Sequence, residues 1–161
     1  MKRAAVTTFA IFFVLAPAAA LAHPGHDGAG GLMYGFVHPV TGIDHVLAMI
    51  AVGVLAALYG GRALLLVPMS FLVAMAAAGA VGMAGIPVQI VEVGIGISVV
   101  VLGLMIAFQI KPPTLVAMVV VGFFALLHGY AHGSEMPDGP AGLAFAAGFL
   151  VATALLLSAG V

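Results

Sequence analysis

From Ala63 to Gly82 the chain runs for twenty residues without one charged side chain, and comparable stretches recur on either side. A helix needs about 20 apolar residues to cross a hydrocarbon core about 30 Å thick. Lipid offers no partner to an exposed peptide group, so runs of this length demand helices. Five spans are read: Asp44 to Gly60, Ala63 to Gly82, Val88 to Ile110, Thr114 to His132, and Pro140 to Val161. Gly60-Gly61-Arg62, Met83 to Pro87, Lys111-Pro112-Pro113 and Gly133 to Gly139 separate them, each carrying glycine, proline or charge. Links this short make consecutive helices antiparallel neighbours. The expected fold is therefore an all-α integral membrane protein, a compact bundle of five transmembrane helices.

The leader fits the same picture. Lys2 and Arg3 precede the apolar stretch Ala4 to Leu15, then Pro17 and the small-residue run Ala18 to Ala22, the pattern of a cleaved secretory signal peptide. Cleavage after Ala22 divides the chain into a leader (1–22), a periplasmic tail with a short half-helix (23–43) and the five-helix domain (44–161). With the mature N-terminus outside, alternation of spans puts Arg62 and Lys111 on the cytoplasmic side, as the positive-inside rule asks. The expected location is the bacterial inner membrane. Every acidic residue and every histidine then falls at or near the external face, which points to one shared site rather than scattered polarity.

Charge and sulfur narrow the chemistry. Only Lys2, Arg3, Asp27, Asp44, Arg62, Glu92, Lys111, Glu135 and Asp138 carry formal charge, so there is no basic surface to neutralise a nucleic-acid backbone. There is no cysteine, which excludes disulfides, thiolate metal sites and thiol nucleophiles. Histidine, carboxylate and methionine remain as metal donors. Small residues recur at four-residue spacing (Gly53, Ala57, Gly61; Ala74, Ala78, Gly82; Ala125, Gly129, Gly133; Ala144, Gly148, Ala152), and such ridges let helix backbones approach closely in lipid.

Two constellations carry the histidines. Gly30 to Val37 is apolar but only eight residues long, too short to cross, and it ends at His38-Pro39, where proline disfavours helix in the residue before it. A half-helix broken at Pro39-Val40-Thr41-Gly42 implies a surrounding cavity. Thr41-Gly42-Ile43-Asp44 also fits a capping box, so Asp44 has two readings, a helix cap and a ligand that offsets the helix dipole beside His45. Met49 lies one turn below His45 as packing or a soft donor. In the second constellation His128 and His132 stand at i and i+4 on one helix face, with Glu135 three positions on. About 6 Å of helix rise separates the two imidazoles, which puts His128 within the membrane and His132 nearer its mouth. Neutral imidazole with carboxylate suits borderline divalent ions such as Ni²⁺, Co²⁺, Zn²⁺ or Cu²⁺. The spacing matches the zincin H-E-x-x-H pattern, but Gly129-Tyr130-Ala131 lacks the glutamate base. Glu92, one turn into an apolar run, is a second-line ligand or proton-coupling group, and His23, His26 and Asp27 form a weak external capture arm.

His38-Pro39-Val40-Thr41-Gly42-Ile43-Asp44-His45, followed by Val46-Leu47-Ala48-Met49 and by His128-Gly129-Tyr130-Ala131-His132-Gly133-Ser134-Glu135, resembles the HupE/UreJ family of small membrane permeases over essentially the whole chain. The resemblance implies a secondary transporter that brings nickel, in some members cobalt, into bacteria for hydrogenase or urease maturation. Carried over by motif, His38, Asp44 and His45 are the principal nickel-binding residues, joined by His128, His132 and Glu135. The expected cargo is Ni²⁺, with Co²⁺ or another divalent transition metal as alternatives, and no resident cofactor. The expected partners are the ion and the lipid bilayer, with self-association or a metallochaperone contact left open. No G-x-x-x-x-G-K-[ST] occurs, so nucleotide hydrolysis does not drive the step. The competing readings are an intramembrane metallohydrolase using Asp44 or Glu135 as base, and a metal-binding subunit that never moves the ion.

Overall fold

The computed structural model describes residues 31–85, 88 and 90–161. The expected leader, the arm bearing His23, His26 and Asp27, and Gly30 and Pro87 lie outside the described residues. Among the described residues the chain forms six helices and no strand: α1 (Leu32–Thr41), α2 (Ile43–Tyr59), α3 (Ala63–Gly82), α4 (Val91–Ala107), α5 (Thr114–Ser134) and α6 (Pro140–Gly160). Helices α3, α5 and α6, of 20, 21 and 21 residues, are each long and apolar enough to cross a membrane. A fourth crossing results if α1 and α2, bent by 83° at their junction, count as one broken span. Helix α4 is an apolar helix of 17 residues.

The junction is where the sequence reading needs correction. The half-helix does not end at His38; it runs through Pro39 to Thr41, and the chain breaks at Gly42, which is extended (φ −87°, ψ 115°). Proline forfeits only its own bond to the carbonyl one turn back, a small loss in a final turn whose carbonyls are partly orphaned anyway. Thr41 Oγ1 donates to the His38 carbonyl at 2.8 Å and satisfies one of them. That hydroxyl is thereby diverted from the expected capping box, and Gly42 stands at the N-cap of α2 without a side-chain bond. Helix α4 is also shorter than its apolar run, ending where Gln109 takes a positive φ of 51°.

Helix α3 packs along most of α5, while α1 and α2 both lie against α6. The core between them holds Met49, Leu55, Phe71, Met75, Leu102, Phe145 and Leu157. In lipid no hydrophobic difference pulls helices together, so close backbone approach and dispersion must do it. A Cβ on Gly129 would overlap the Met75 carbonyl, one on Gly133 the Gly79 carbonyl, and one on Gly82 the Tyr130 carbonyl. Gly35 and Gly148 play the same part between α1 and α6, and Gly53 and Gly160 between α2 and α6. Gly61, expected in a packing ridge, instead forms the α2–α3 turn with Gly60, both at positive φ (54° and 71°).

At the end of the bundle opposite the histidines, Lys111 Nζ donates to the Leu58 carbonyl at 2.5 Å and Tyr59 Oη to the Pro112 carbonyl at 2.6 Å. These two bonds tie the last turn of α2 to the α4–α5 link. Arg62 and Lys111 thus share one end of the bundle, and Asp44, Glu92, Glu135 and Asp138 the other.

Gly129→Ala drives a methyl into the α3 backbone and is expected to cost about 1–3 kcal/mol, read as a lower melting temperature in detergent. Gly96→Ala, where a Cβ meets nothing within 4 Å, leaves the melting temperature unchanged or raises it.

Candidate metal centre

Four histidines from three helices converge at one end of the bundle. The α1–α2 break turns the chain so that His38, at the close of one helix, and His45, in the first turn of the next, both face α5. Helix α5 carries His128 and His132 one turn apart on the side buried against the bundle. Glu135, the C-cap residue of α5, stands above them.

His132 is the hub. Its Nδ1 lies 3.1 Å from His38 Nε2. Its Nε2 abuts His45 Nε2 on the other side of the ring. The Glu135 carboxylate is 3.6 Å from His38 Nε2 and 3.9 Å from His132 Nδ1. Donor atoms of His38, His132 and Glu135 therefore all lie within 4.8 Å of one another. Metal–ligand bonds of about 2.0–2.2 Å in tetrahedral geometry put donor atoms roughly 3.3–3.6 Å apart, so this trio is near the spacing a divalent ion requires.

Asp44 and Phe124 determine which ring nitrogens are free. A carboxylate only accepts, and Asp44 Oδ1 receives both the His45 backbone N–H (3.0 Å) and His45 Nδ1–H (2.8 Å). The proton on Nδ1 leaves Nε2 as the lone pair, directed at His132. Asp44 thus combines its two sequence readings: it bonds one amide at the start of α2, and it orients an imidazole as carboxylates behind metal-bound histidines do. The Phe124 carbonyl likewise accepts Nδ1–H of His128 at 2.9 Å. His128 Nε2 is buried with no partner at all.

Aromatic rings close the walls. Phe149 lies 4.4 Å from the His132 ring, Phe145 5.4 Å from His38, and Phe71 5.8 Å from His128, centroid to centroid. Sequence reasoning passed over these three, although Phe145 and Phe149 stand at i and i+4 on α6, the same periodic signal that flagged the histidines. Tyr34 flanks His38 at 6.1 Å. The remaining expected residues do not join the cluster. Met49 is fully buried in the apolar core, and Glu92 is exposed in the first turn of α4, bonded to none of the histidines. Its charge is still felt: burial pushes the Glu135 carboxyl above its ordinary range, His45 opposes that rise, and Glu92 adds to it.

Two outcomes follow. Asp44→Ala frees the His45 ring and is expected to weaken Ni²⁺ binding about 10–100-fold in equilibrium dialysis without abolishing it. Because proton and cation compete for the same lone pairs, and burial favours the neutral imidazole, Ni²⁺ affinity falls by about tenfold or more only as the pH is taken from 7.5 to about 4, and an affinity unchanged over that whole range removes histidine from the site.

The family described as HupE / UreJ protein matches residues 11–161. Protein HupE of Rhizobium leguminosarum bv. viciae is 44% identical over 161 residues, covering 100% of this chain and 83% of that protein. No solved structure matches. A family match over nearly the whole chain, and a relative 44% identical across all of this chain, identify this protein as a member of the HupE/UreJ family.

Proposed function

We propose that this chain is a secondary permease that takes a divalent transition-metal ion, Ni²⁺ before others, from the periplasm across the bacterial inner membrane for hydrogenase or urease metallation. In this reading the bent α1–α2 pair is the first of five crossings and α4 the third. The cationic end of the bundle, with Arg62 and Lys111, faces the cytoplasm and the histidine end faces the periplasm.

The observation that carries the reading is graded burial along the donor set. Side-chain exposure falls from 48% at Glu135 through 26% at His38 and 12% at His45 to 5% at His132, and His128 is wholly buried. An ion entering at the carboxylate exchanges its water for imidazole stepwise, each new donor standing deeper than the last. Entry sites of conducting proteins replace hydration in this way, with binding favourable enough to admit the ion and divided enough to release it. A purely structural metal would instead be enclosed from the outset by four donors.

No nucleotide is needed for the thermodynamics. Each charge moving through 100 mV gains about 2.3 kcal/mol, and a divalent cation roughly twice that, so an inside-negative potential is sufficient to drive entry. The donor set supports nickel through its nitrogen and oxygen composition, which suits borderline ions over calcium or magnesium.

Cells expressing the chain are expected to accumulate radiolabelled nickel above an empty-vector control, and His38→Ala or His132→Ala to lower that uptake about tenfold or more with normal membrane insertion. Accumulation equal to the control, in the presence and absence of competing divalent metals, rejects the permease. A metal-dependent lipid or peptide cleavage lost in His132→Ala would install the hydrolase in its place.

A further inference from the structure

The glycine contacts sort five of the helices into two groups. Gly35 and Gly148 seat α1 on the main chain of α6, and Gly53 and Gly160 do the same between α2 and α6. Gly82, Gly129 and Gly133 seat α3 and α5 on each other. Among the described residues, no glycine on these five helices has its nearest neighbour on the main chain of the other group, and α4 leans on both, touching α2 and α5. The chain crosses between the groups at Gly60-Gly61 and again in the α5–α6 link at Gly139, all at positive φ (71°, 54° and 72°), a region open to glycine at no steric cost. Side-chain hydrogen bonds join the groups only at the two ends. At one end His38 and His45 meet His132; at the other Tyr59 donates to the Pro112 carbonyl and Lys111 to the Leu58 carbonyl, counting the link into α5 with the second group. Ser70 and Ser98, further in, bond to carbonyls of their own helices. The seam between the ends is apolar, with Leu55, Phe71, Met75 and Leu157 buried in it. Dispersion contacts between such side chains re-form as helices tilt, whereas a main-chain seat holds its two helices as one body.

We propose that α1–α2–α6 and α3–α5 are two rigid bodies that rock across this apolar seam, and that Tyr59 and Lys111 form the inner gate. The gate is shut in this structure. Tyr59 rides with the first body and Lys111 with the second, so a tilt that parts the inner ends breaks both bonds together. The Leu58 carbonyl is one of the last in α2 and the Pro112 carbonyl precedes α5, so neither is needed by a helix ladder and both exchange to water when the gate opens. The same tilt presses the histidine ends together. Rocking of one bundle against another about a central site is the general form of alternating access. As a transport gate the pair rests on the permease reading; the rocking itself does not, because distances between labels reveal it without transport.

The chain has no cysteine, so engineered thiols are the only ones to take a spin label. In the full-length protein, Ala57→Cys with Leu115→Cys marks the inner ends of the two bodies and Val37→Cys with Val81→Cys the outer ends, all four at exposed positions. Tyr59→Phe with Lys111→Met deletes the gate, and pulsed electron resonance is expected to show the population with inner labels apart and outer labels closer rise about tenfold. Inner labels that separate alone mark a frayed link and overturn the proposal, as do distances equal to the parent's. A second variant locks the gate instead. Tyr59→Cys with Lys111→Cys, bridged by a bis-maleimide, is expected to take up nickel about tenfold more slowly than the same variant unbridged, with Ni²⁺ binding within about threefold. Uptake that the bridge leaves unchanged overturns the gate. If the parent moves no nickel at all, the permease reading fails, and the label distances alone decide the rocking.

Discussion

An imidazole ring buried to within 4% of completeness and flanked by other imidazoles on both of its nitrogens is the feature around which this molecule is arranged. In a dry interior each of those nitrogens must find a partner, and the partners come from different helices. His38 requires α1, His45 requires α2, and the ring that covers His132, Phe149, requires α6. The 83° bend at Gly42 exists to bring two of these donors onto one face of α5. Take His132 away and the convergence of three helices at this end loses its polar reason.

Glycine at the helix contacts makes such an arrangement possible. Where Gly129 and Gly133 rest on the α3 backbone, and Gly35 and Gly148 join α1 to α6, the helices approach to main-chain contact. Gly129 and Gly133 alternate along α5 with the two histidines, so tight packing against α3 and display of imidazoles toward α1 and α2 arise from the same two turns. The far end is held differently, by Lys111 and Tyr59 on main-chain carbonyls, and no histidine or acid stands there among the described residues. The asymmetry gives the bundle a polar, donor-lined mouth and a tied opposite end.

Much of this was readable from residues alone, because lipid leaves few options to an apolar run. Ala63–Gly82 matched its helix at both ends, and Pro140 began α6 where its missing N–H costs nothing. The two histidine constellations were likewise visible as spacing. What spacing could not convey was register. Whether His45 meets His132 or His128 depends on how far α2 slides along α6 and α5, which the glycine contacts decide in three dimensions. Pro39 misled for a local reason: a proline in a last turn costs little, and the break moved to the glycine that follows. Asp44 resisted a single reading because its carboxylate serves an amide and an imidazole at once.

Anomalous diffraction at the nickel edge from crystals soaked in Ni²⁺ bears most directly on the claim that these histidines form one cation site. The account predicts a peak about 2.0–2.2 Å from a nitrogen of His132, with its other neighbours drawn from His38, Glu135, His45 and His128. A peak confined to surface acids such as Asp138, or density at the histidines with no anomalous signal under saturating nickel, would contradict it.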